Sequence, residues 1–112
     1  MTLKKFDKEL RNLDINEKAR PFVCDGSPLD CNTFLIGHNS STDGLFWDFW
    51  KPESVGFKKD EWLKEYKSKN DFNRKTTRRR IEIFFEEFAN TNIQLLQTNL
   101  YCFPTVKNIP MC

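Results

Sequence analysis

Residues 33–50 read TFLIGHNSSTDGLFWDFW, and this stretch decides the fold expected for the chain. Its apolar start, residues 34–36, predicts a buried strand, and the polar residues 37–41, GHNSS, predict a loop where that strand ends. Large rings then wall the loop: Phe46, Trp47, Phe49 and Trp50. In open α/β sheets ligands bind beyond the strand ends, and a glycine there lets backbone approach a ligand closely. We therefore expect a binding site at the end of this strand.

Two helices and a second strand follow the aromatic patch. Residues 58–69 carry a narrow apolar stripe, which predicts a largely solvent-facing helix. A helix over residues 77–90, capped by Thr76 or Thr77, is predicted to bury one face consisting of Ile81, Phe84, Phe85 and Phe88. Residues 93–98 read as a second buried strand. Because a strand–helix–strand order implies a parallel pair, both strands should end at the same edge of the sheet.

The rest of the chain adds little to that plan. Residues 3–13 predict a short amphipathic helix in an outer layer, and residues 14–32 an irregular loop. With 112 residues and 38% hydrophobic content we expect one domain, spanning residues 1–112. No apolar run is long enough for a membrane span, and the charged N-terminus lacks the apolar region of a secretory signal. We expect a cytoplasmic protein with reduced thiols and no membrane partner.

Asn39 and Asn99 are the candidate site residues at the two strand ends. An amide offers one acceptor and two donors, which suits the edge of a nucleobase or the positioning of a water molecule. The alternative is that each asparagine only bonds loop backbone at the end of its strand. The ring cluster should be mostly core, leaving one ring, Phe46 or Trp47, to stack on a base.

One basic cluster stands in the second half of the chain, beside the predicted start of the helix at residue 77. Its cations and the helix dipole could together hold a DNA backbone, or form a solvated face neutralised in part by neighbouring glutamates. The net charge of +2 is too small to decide. The cluster consists of Arg74, Lys75, Arg78, Arg79 and Arg80.

The cysteines and the single histidine exclude several chemistries. No nucleophile motif accompanies His38, so triad hydrolysis is not expected. The cysteine spacing does not match the tight pairs of zinc ribbons, and we expect no metal or cofactor. A minor alternative is that four thiolates meet to hold an iron–sulfur cluster. Those cysteines are Cys24, Cys31, Cys102 and Cys112.

Two motifs resemble the uracil-DNA glycosylase superfamily. They are GHNSS at residues 37–41, directly after an apolar strand, and TNL at residues 98–100, closing a later one. The wider context over about residues 20–105 resembles poorly characterised bacterial members. The resemblance implies a three-layer α/β/α domain with a mostly parallel central sheet, and hydrolysis of the bond between a damaged base and deoxyribose. It also implies that Asn39 holds the attacking water, Phe46 or Trp47 stacks on the base and Asn99 reads its edge.

The chain departs from that family in three ways. No histidine follows Pro104, where the family has a second catalytic loop, and Ser40 stands where a proline is usual. The sequence also ends soon after the second strand. We therefore expect a short or incomplete version of the fold, with DNA as partner. The alternative is a non-catalytic DNA-binding or protein-interaction module on the same scaffold, forming a homo-oligomer through an exposed sheet edge.

Overall fold

The computed structural model describes residues 1–13, 19–39, 46–73 and 76–101, which form a mixed α/β fold. Within these ranges lie three helices and two small sheets. The helices are α1 (Leu3–Asn12), α2 (Lys59–Lys69) and α3 (Thr77–Glu87). The strands are β1 (Val23–Cys24), β2 (Thr33–Asn39), β3 (Trp50–Lys51), β4 (Gly56–Phe57) and β5 (Leu95–Tyr101). None of the helices in the described ranges is long and apolar enough to cross a membrane.

The main sheet has the order β1-β5-β2, with β5 in the centre. β2 runs parallel to β5 in continuous register, from Thr33 opposite Leu95 to Asn39 opposite Tyr101. This confirms the parallel pair that the strand–helix–strand order predicts. β1 joins the other side of β5 in the antiparallel direction. The sheet is therefore small and mixed, and the three-layer fold with a mostly parallel sheet is not confirmed.

β2 is not the buried strand that its apolar residues predict. Among the described strands β2 has a neighbour on one side only, so it is an edge strand of the described sheet. Phe34 and Ile36, which alternate onto one face, are 60% and 61% exposed. The aromatic core covers this face at Leu96 of β5, but the described elements do not cover it at Phe34 and Ile36, and this explains their exposure.

The core is built from rings contributed by loops and short elements. Phe46 stacks on Phe57 at 5.3 Å and on Trp50 at 5.7 Å between ring centroids, and Phe22 meets all three edge-on. α1 closes one side of this cluster, because Phe6 contacts Phe22 and Trp50. The aromatic patch in the sequence is thus mainly core, as expected, and α1 packs against it as an outer element.

The helices form where the sequence predicts them, but two of them bury different residues. α2 buries Lys59, Trp62 and Tyr66, more than a solvent-facing helix would. α3 begins after the cap at Thr76, whose hydroxyl accepts from the Arg79 N–H. Its buried residues are Arg78 and Glu82 rather than the predicted phenylalanines, and Phe84 is 49% exposed.

The segment predicted as loop contains regular structure as well. β1 lies in it, followed by one turn of 3₁₀ helix at Pro28–Asp30. Ser27 caps that turn by accepting from the Leu29 N–H at 3.2 Å. Two-residue strands leave no periodic pattern in a sequence, so β1 gave no signal of its own.

Candidate nucleobase site at the strand ends

The ends of β2 and β5 lie side by side, as the sequence predicts. Gly37 stands opposite Asn99, and Asn39 stands opposite Tyr101. A Cβ atom added to Gly37 would come within 2.5 Å of Asn99 Oδ1. The amide of Asn99 therefore lies directly over Gly37, in space that only a glycine leaves open. Of Asn39 the structure describes the backbone alone, so its position is known and its side-chain contacts are not.

The first turn of α3 lies beside the same half of β5. Arg78 Nη2 donates to Gln97 Oε1 at 2.9 Å. Gln97 precedes Asn99 by two residues, so both side chains project from the sheet face that α3 covers. The start of α3 therefore lies near Gln97, two residues before Asn99. A helix start favours anions through its N–H groups and its dipole, and Thr76 already accepts from one of these groups, the Arg79 N–H.

The two predicted stacking rings lie elsewhere. Phe46 is fully buried between the rings of Phe57 and Trp50 and offers no face to a ligand, which corrects its assignment to base binding. Trp47 is half-buried, and the guanidinium of Arg11 lies 4.9 Å from its ring centre. No ring contact or hydrogen bond between described residues joins Trp47 to Asn99.

The basic cluster is divided by the fold. Arg78 is buried and bonded to Glu82 and Gln97, so it does not reach a DNA phosphate, and its assignment to backbone binding is wrong. Arg79 pairs with Glu86 at 3.0 Å. Arg80 is exposed and makes no ion pair with another described residue. The other predicted cations, Arg74 and Lys75, lie outside the described residues.

A buried charged cluster lies behind this surface, between α2, α3 and β5. The two oxygens of Glu82 accept from Lys59 Nζ and from Arg78 Nη1, the latter at 3.3 Å. Lys59 Nζ also lies 4.3 Å from the Phe85 ring centre, and the Arg78 guanidinium 4.9 Å from that of Trp62. The cations are thus held by one carboxylate and by ring faces. Sequence reasoning missed this cluster, although the Arg78–Glu82 spacing of four residues pointed to a pair.

Burial affects the protonation of the arginines in this region. Desolvation lowers the pKa of Arg78, an effect that the charge of Glu82 opposes. Desolvation, with a further contribution from the charge of Arg78, lowers the pKa of Arg20 to about 10. Arg20 therefore remains a cation at neutral pH, with its guanidinium 5.4 Å from the Trp62 ring centre. These groups lie in the interior and are not placed to move protons at the strand ends.

Two cysteines meet at the opposite end of the sheet. Cys24 is buried at the end of β1, and Cys31, half-buried, follows the 3₁₀ turn. Cys102 and Cys112 lie outside the described residues. No group of three or more histidine, cysteine or acidic side chains in the described part of the chain could hold a metal ion. The four-cysteine cluster therefore gains no support from the residues described.

A cavity of about 950 Å³ lies near these cysteines, bounded by α2, α3 and the start of β5. Its wall includes Cys31, Lys59, Glu82 and Phe85, together with Leu95 at the first position of β5. Asn99 does not line it. This cavity is thus separate from the site that the sequence predicts.

No protein-family model matches this chain, and no curated protein and no solved structure matches it either. The resemblance to the uracil-DNA glycosylase superfamily therefore stays a hypothesis based on two short motifs. The geometry of the strand ends is the physical observation that bears on it.

Proposed function

We propose that this chain binds a base of DNA at the adjoining ends of β2 and β5, in an arrangement suited to base excision. The observation that carries the proposal is the parallel register that sets Gly37 opposite Asn99 and Asn39 opposite Tyr101. Two separate motifs, 60 residues apart, meet at one edge, and α3 begins beside them. A sheet edge of this kind is where α/β proteins bind ligands.

Asn99 supplies the group that would read the base. Its Oδ1 lies against Gly37, and an amide that accepts and donates at once can pair with the edge of a flipped base. The flipped nucleotide brings its phosphates with it. The N–H groups at the start of α3 and the exposed guanidinium of Arg80 offer the complementary charge.

Asn39 would position the attacking water. An amide takes no proton, so it orients the water and leaves the barrier to be lowered by the departing base and by surrounding charge. This favours substrates whose base leaves readily as an anion. Uracil is such a base, and it is the one the resemblance suggests.

Fluorescence anisotropy tests the proposal. It measures binding to two single-stranded oligonucleotides, one that contains a single uracil and one that contains none. Asn99→Ala should raise the Kd for the uracil strand by about 5- to 150-fold, corresponding to the roughly 1–3 kcal/mol of one good amide–base pair. The Kd for the strand without uracil should change little. A Kd for the uracil strand that is the same for the wild type and for Asn99→Ala would contradict the role of Asn99.

Arg80→Glu tests the phosphate contact, with Lys64→Glu on the exposed side of α2 as a control with the same charge change. A plot of log K against log salt concentration has a negative slope. If Arg80 contacts a phosphate, reversing its charge should make that slope shallower by about 1, while the control leaves the slope close to that of the wild type. Identical slopes for both variants would remove Arg80 from the site.

A second candidate function is favoured by the exposed face of the sheet. Phe34, Ile36 and Leu100 project from the same face and are 60%, 61% and 62% exposed. On one side the β2 backbone also has no neighbour among the strands that the structure describes. An apolar face next to an open strand edge is typical of a surface that pairs with another protein, here a second copy of the chain.

Sedimentation velocity over a range of concentrations tests the second candidate. The wild-type chain should be a dimer that dissociates when Phe34→Thr and Ile36→Thr are combined. Val55→Thr, an exposed apolar residue in the turn between β3 and β4, serves as the control and should leave the dimer intact. A wild-type chain that is monomeric at all concentrations would exclude self-pairing.

A further inference from the structure

The turn between β1 and β2 brings two thiols together. Cys24 is the last residue of β1, Gly26 turns the chain with a φ of +93°, and Cys31 ends the 3₁₀ turn. Gly26 is fixed by a pair of hydrogen bonds with Phe57, its N–H donating at 3.0 Å and its carbonyl accepting at 2.7 Å. The turn that carries both cysteines is therefore held rigidly against β4.

Both cysteines lie against the first two residues of β5. Cys24 pairs with Leu96 across the sheet, and Cys31 Sγ donates to the carbonyl oxygen of Leu95 at 3.5 Å. On the turn side, Cys24 Sγ lies 3.4 Å from the Gly26 carbonyl oxygen, and Cys31 Sγ lies 3.8 Å from that of Ser27. Two cysteines held against neighbouring residues of one strand are placed as a disulfide between them requires.

The surroundings of the two thiols differ. Cys24 has no exposed surface, whereas Cys31 is half-buried and lines the 950 Å³ cavity. The hydrogen bond from Cys24 lowers the pKa of Cys31. The same hydrogen bond, together with burial, raises the pKa of Cys24. Cys31 is thus the accessible and more readily ionised thiol, and Cys24 is the buried thiol, which reacts second.

We propose that Cys24 and Cys31 form a reversible disulfide by exchange with a small external disulfide of the glutathione type that enters through the cavity. This site is independent of the proposed function at the strand ends.

The exchange balances in two steps. The Cys31 thiolate attacks one sulfur of the external disulfide, an S–S bond forms, and one small thiolate leaves and takes up a proton. Cys24 then loses its proton and attacks the Cys31 sulfur, which expels the second small thiolate. Two protein thiols are oxidised by two electrons, and the external disulfide is reduced to two thiols.

Mass spectrometry tests the proposal. The full chain is incubated with oxidised glutathione and then digested with endoproteinase Asp-N. This protease cuts before Asp25 and Asp30 and so places the two cysteines in different peptides. The expected result is one linked pair of peptides that contains Cys24 and Cys31, lacks two hydrogen atoms and separates on reduction. Its yield should follow the ratio of oxidised to reduced glutathione. Cys31 found stably glutathionylated, or both thiols found unreacted, would overturn the proposal.

Two variants test the order of attack. Cys24→Ala should stop the reaction at the mixed disulfide and retain one glutathionyl group on Cys31. Cys31→Ser should leave the buried Cys24 unmodified over the same period, with far-UV circular dichroism confirming that each variant is folded. A folded Cys31→Ser protein whose Cys24 reacts as fast as Cys31 does in the wild type would contradict the assigned roles.

Discussion

At the scale of single residues, Glu82 has the most demanding position in the interior. Its side chain is almost fully buried and binds two cations, Lys59 and Arg78. A buried ion pair gains little net stability, because desolvation offsets the attraction, but removing one partner leaves the other charge uncompensated. Among the described contacts of this cluster, the Glu82 carboxylate is the one anion that pairs with Lys59 and with Arg78. The interior therefore depends on that carboxylate far more than on any surface pair.

Glu82→Ala should lower the free energy of unfolding by about 3–5 kcal/mol, because Lys59 and Arg78 would stay buried without their anion. Glu86→Ala is the matched control on the same helix, since Glu86 is exposed and pairs with Arg79 at the surface. The control should change stability by less than about 1 kcal/mol. Urea unfolding followed by tryptophan fluorescence measures both. Equal effects of the two substitutions would show that the buried carboxylate is not needed.

Gly37→Ala tests the contact between the two motifs. The added Cβ would meet Asn99 Oδ1 at 2.5 Å, and since that atom ends a side chain, the amide should rotate away while the fold persists. We expect binding of the uracil strand to weaken as much as in Asn99→Ala, with a small change in thermal stability. Unchanged binding would show that the orientation of the Asn99 amide is irrelevant to the ligand.

At the scale of elements, α3 shows what the sequence could and could not predict. Its start at Thr77 and a cap at Thr76, one of the two threonines considered, followed from spacing and from capping chemistry, whereas the helix ends at Glu87, three residues before the predicted end. Its buried face did not, because the apolar spacing pointed to Phe84 while the fold turns Arg78 and Glu82 inward. Local periodicity assigns charged residues to solvent. Arg78 and Glu82 are compensated by partners from other elements, among them the Trp62 ring, the Lys59 amine and the Gln97 amide, and these contacts are not encoded locally.

Gly56→Ala tests the contact between the two-stranded sheet of β3 and β4 and the turn at Gly26. Gly56 has a φ of +97°, and an added Cβ would lie 2.5 Å from the Gly26 carbonyl oxygen, which is backbone and cannot rotate away. We expect a loss of about 2–4 kcal/mol, combining an unfavourable φ with a displaced backbone. Thermal unfolding by circular dichroism measures the loss.

Gly26→Ala is the control for that substitution. Its φ of +93° is equally unfavourable, but the nearest atom to an added Cβ is 3.6 Å away. The expected loss is therefore the φ term alone, about 1–2 kcal/mol. A control as destabilised as Gly56→Ala would mean that the close approach of the two turns contributes nothing.

At the scale of the whole molecule, the parallel β2–β5 pair was predictable, and the rest of the sheet was not. Two apolar segments separated by helices suffice to predict the pair. The antiparallel β1 is too short to leave a pattern, and the exposure of Phe34 and Ile36 depends on which elements cover the sheet. The meeting of Asn39 and Asn99 at one edge followed from topology. The burial of Phe46 and Arg78 depends on how the elements pack, and the sequence motifs do not predict that packing.

Release of uracil from a labelled single-stranded oligonucleotide, by the wild-type chain and by Asn39→Ala, tests the proposed function most directly. Both proteins would first be shown to be folded by circular dichroism. We expect the wild type to release uracil and the variant to lose that activity while still binding the strand, because the role proposed for Asn39 is to position water and not to hold the base. A folded wild-type chain that neither releases uracil nor prefers the uracil strand would contradict the proposal.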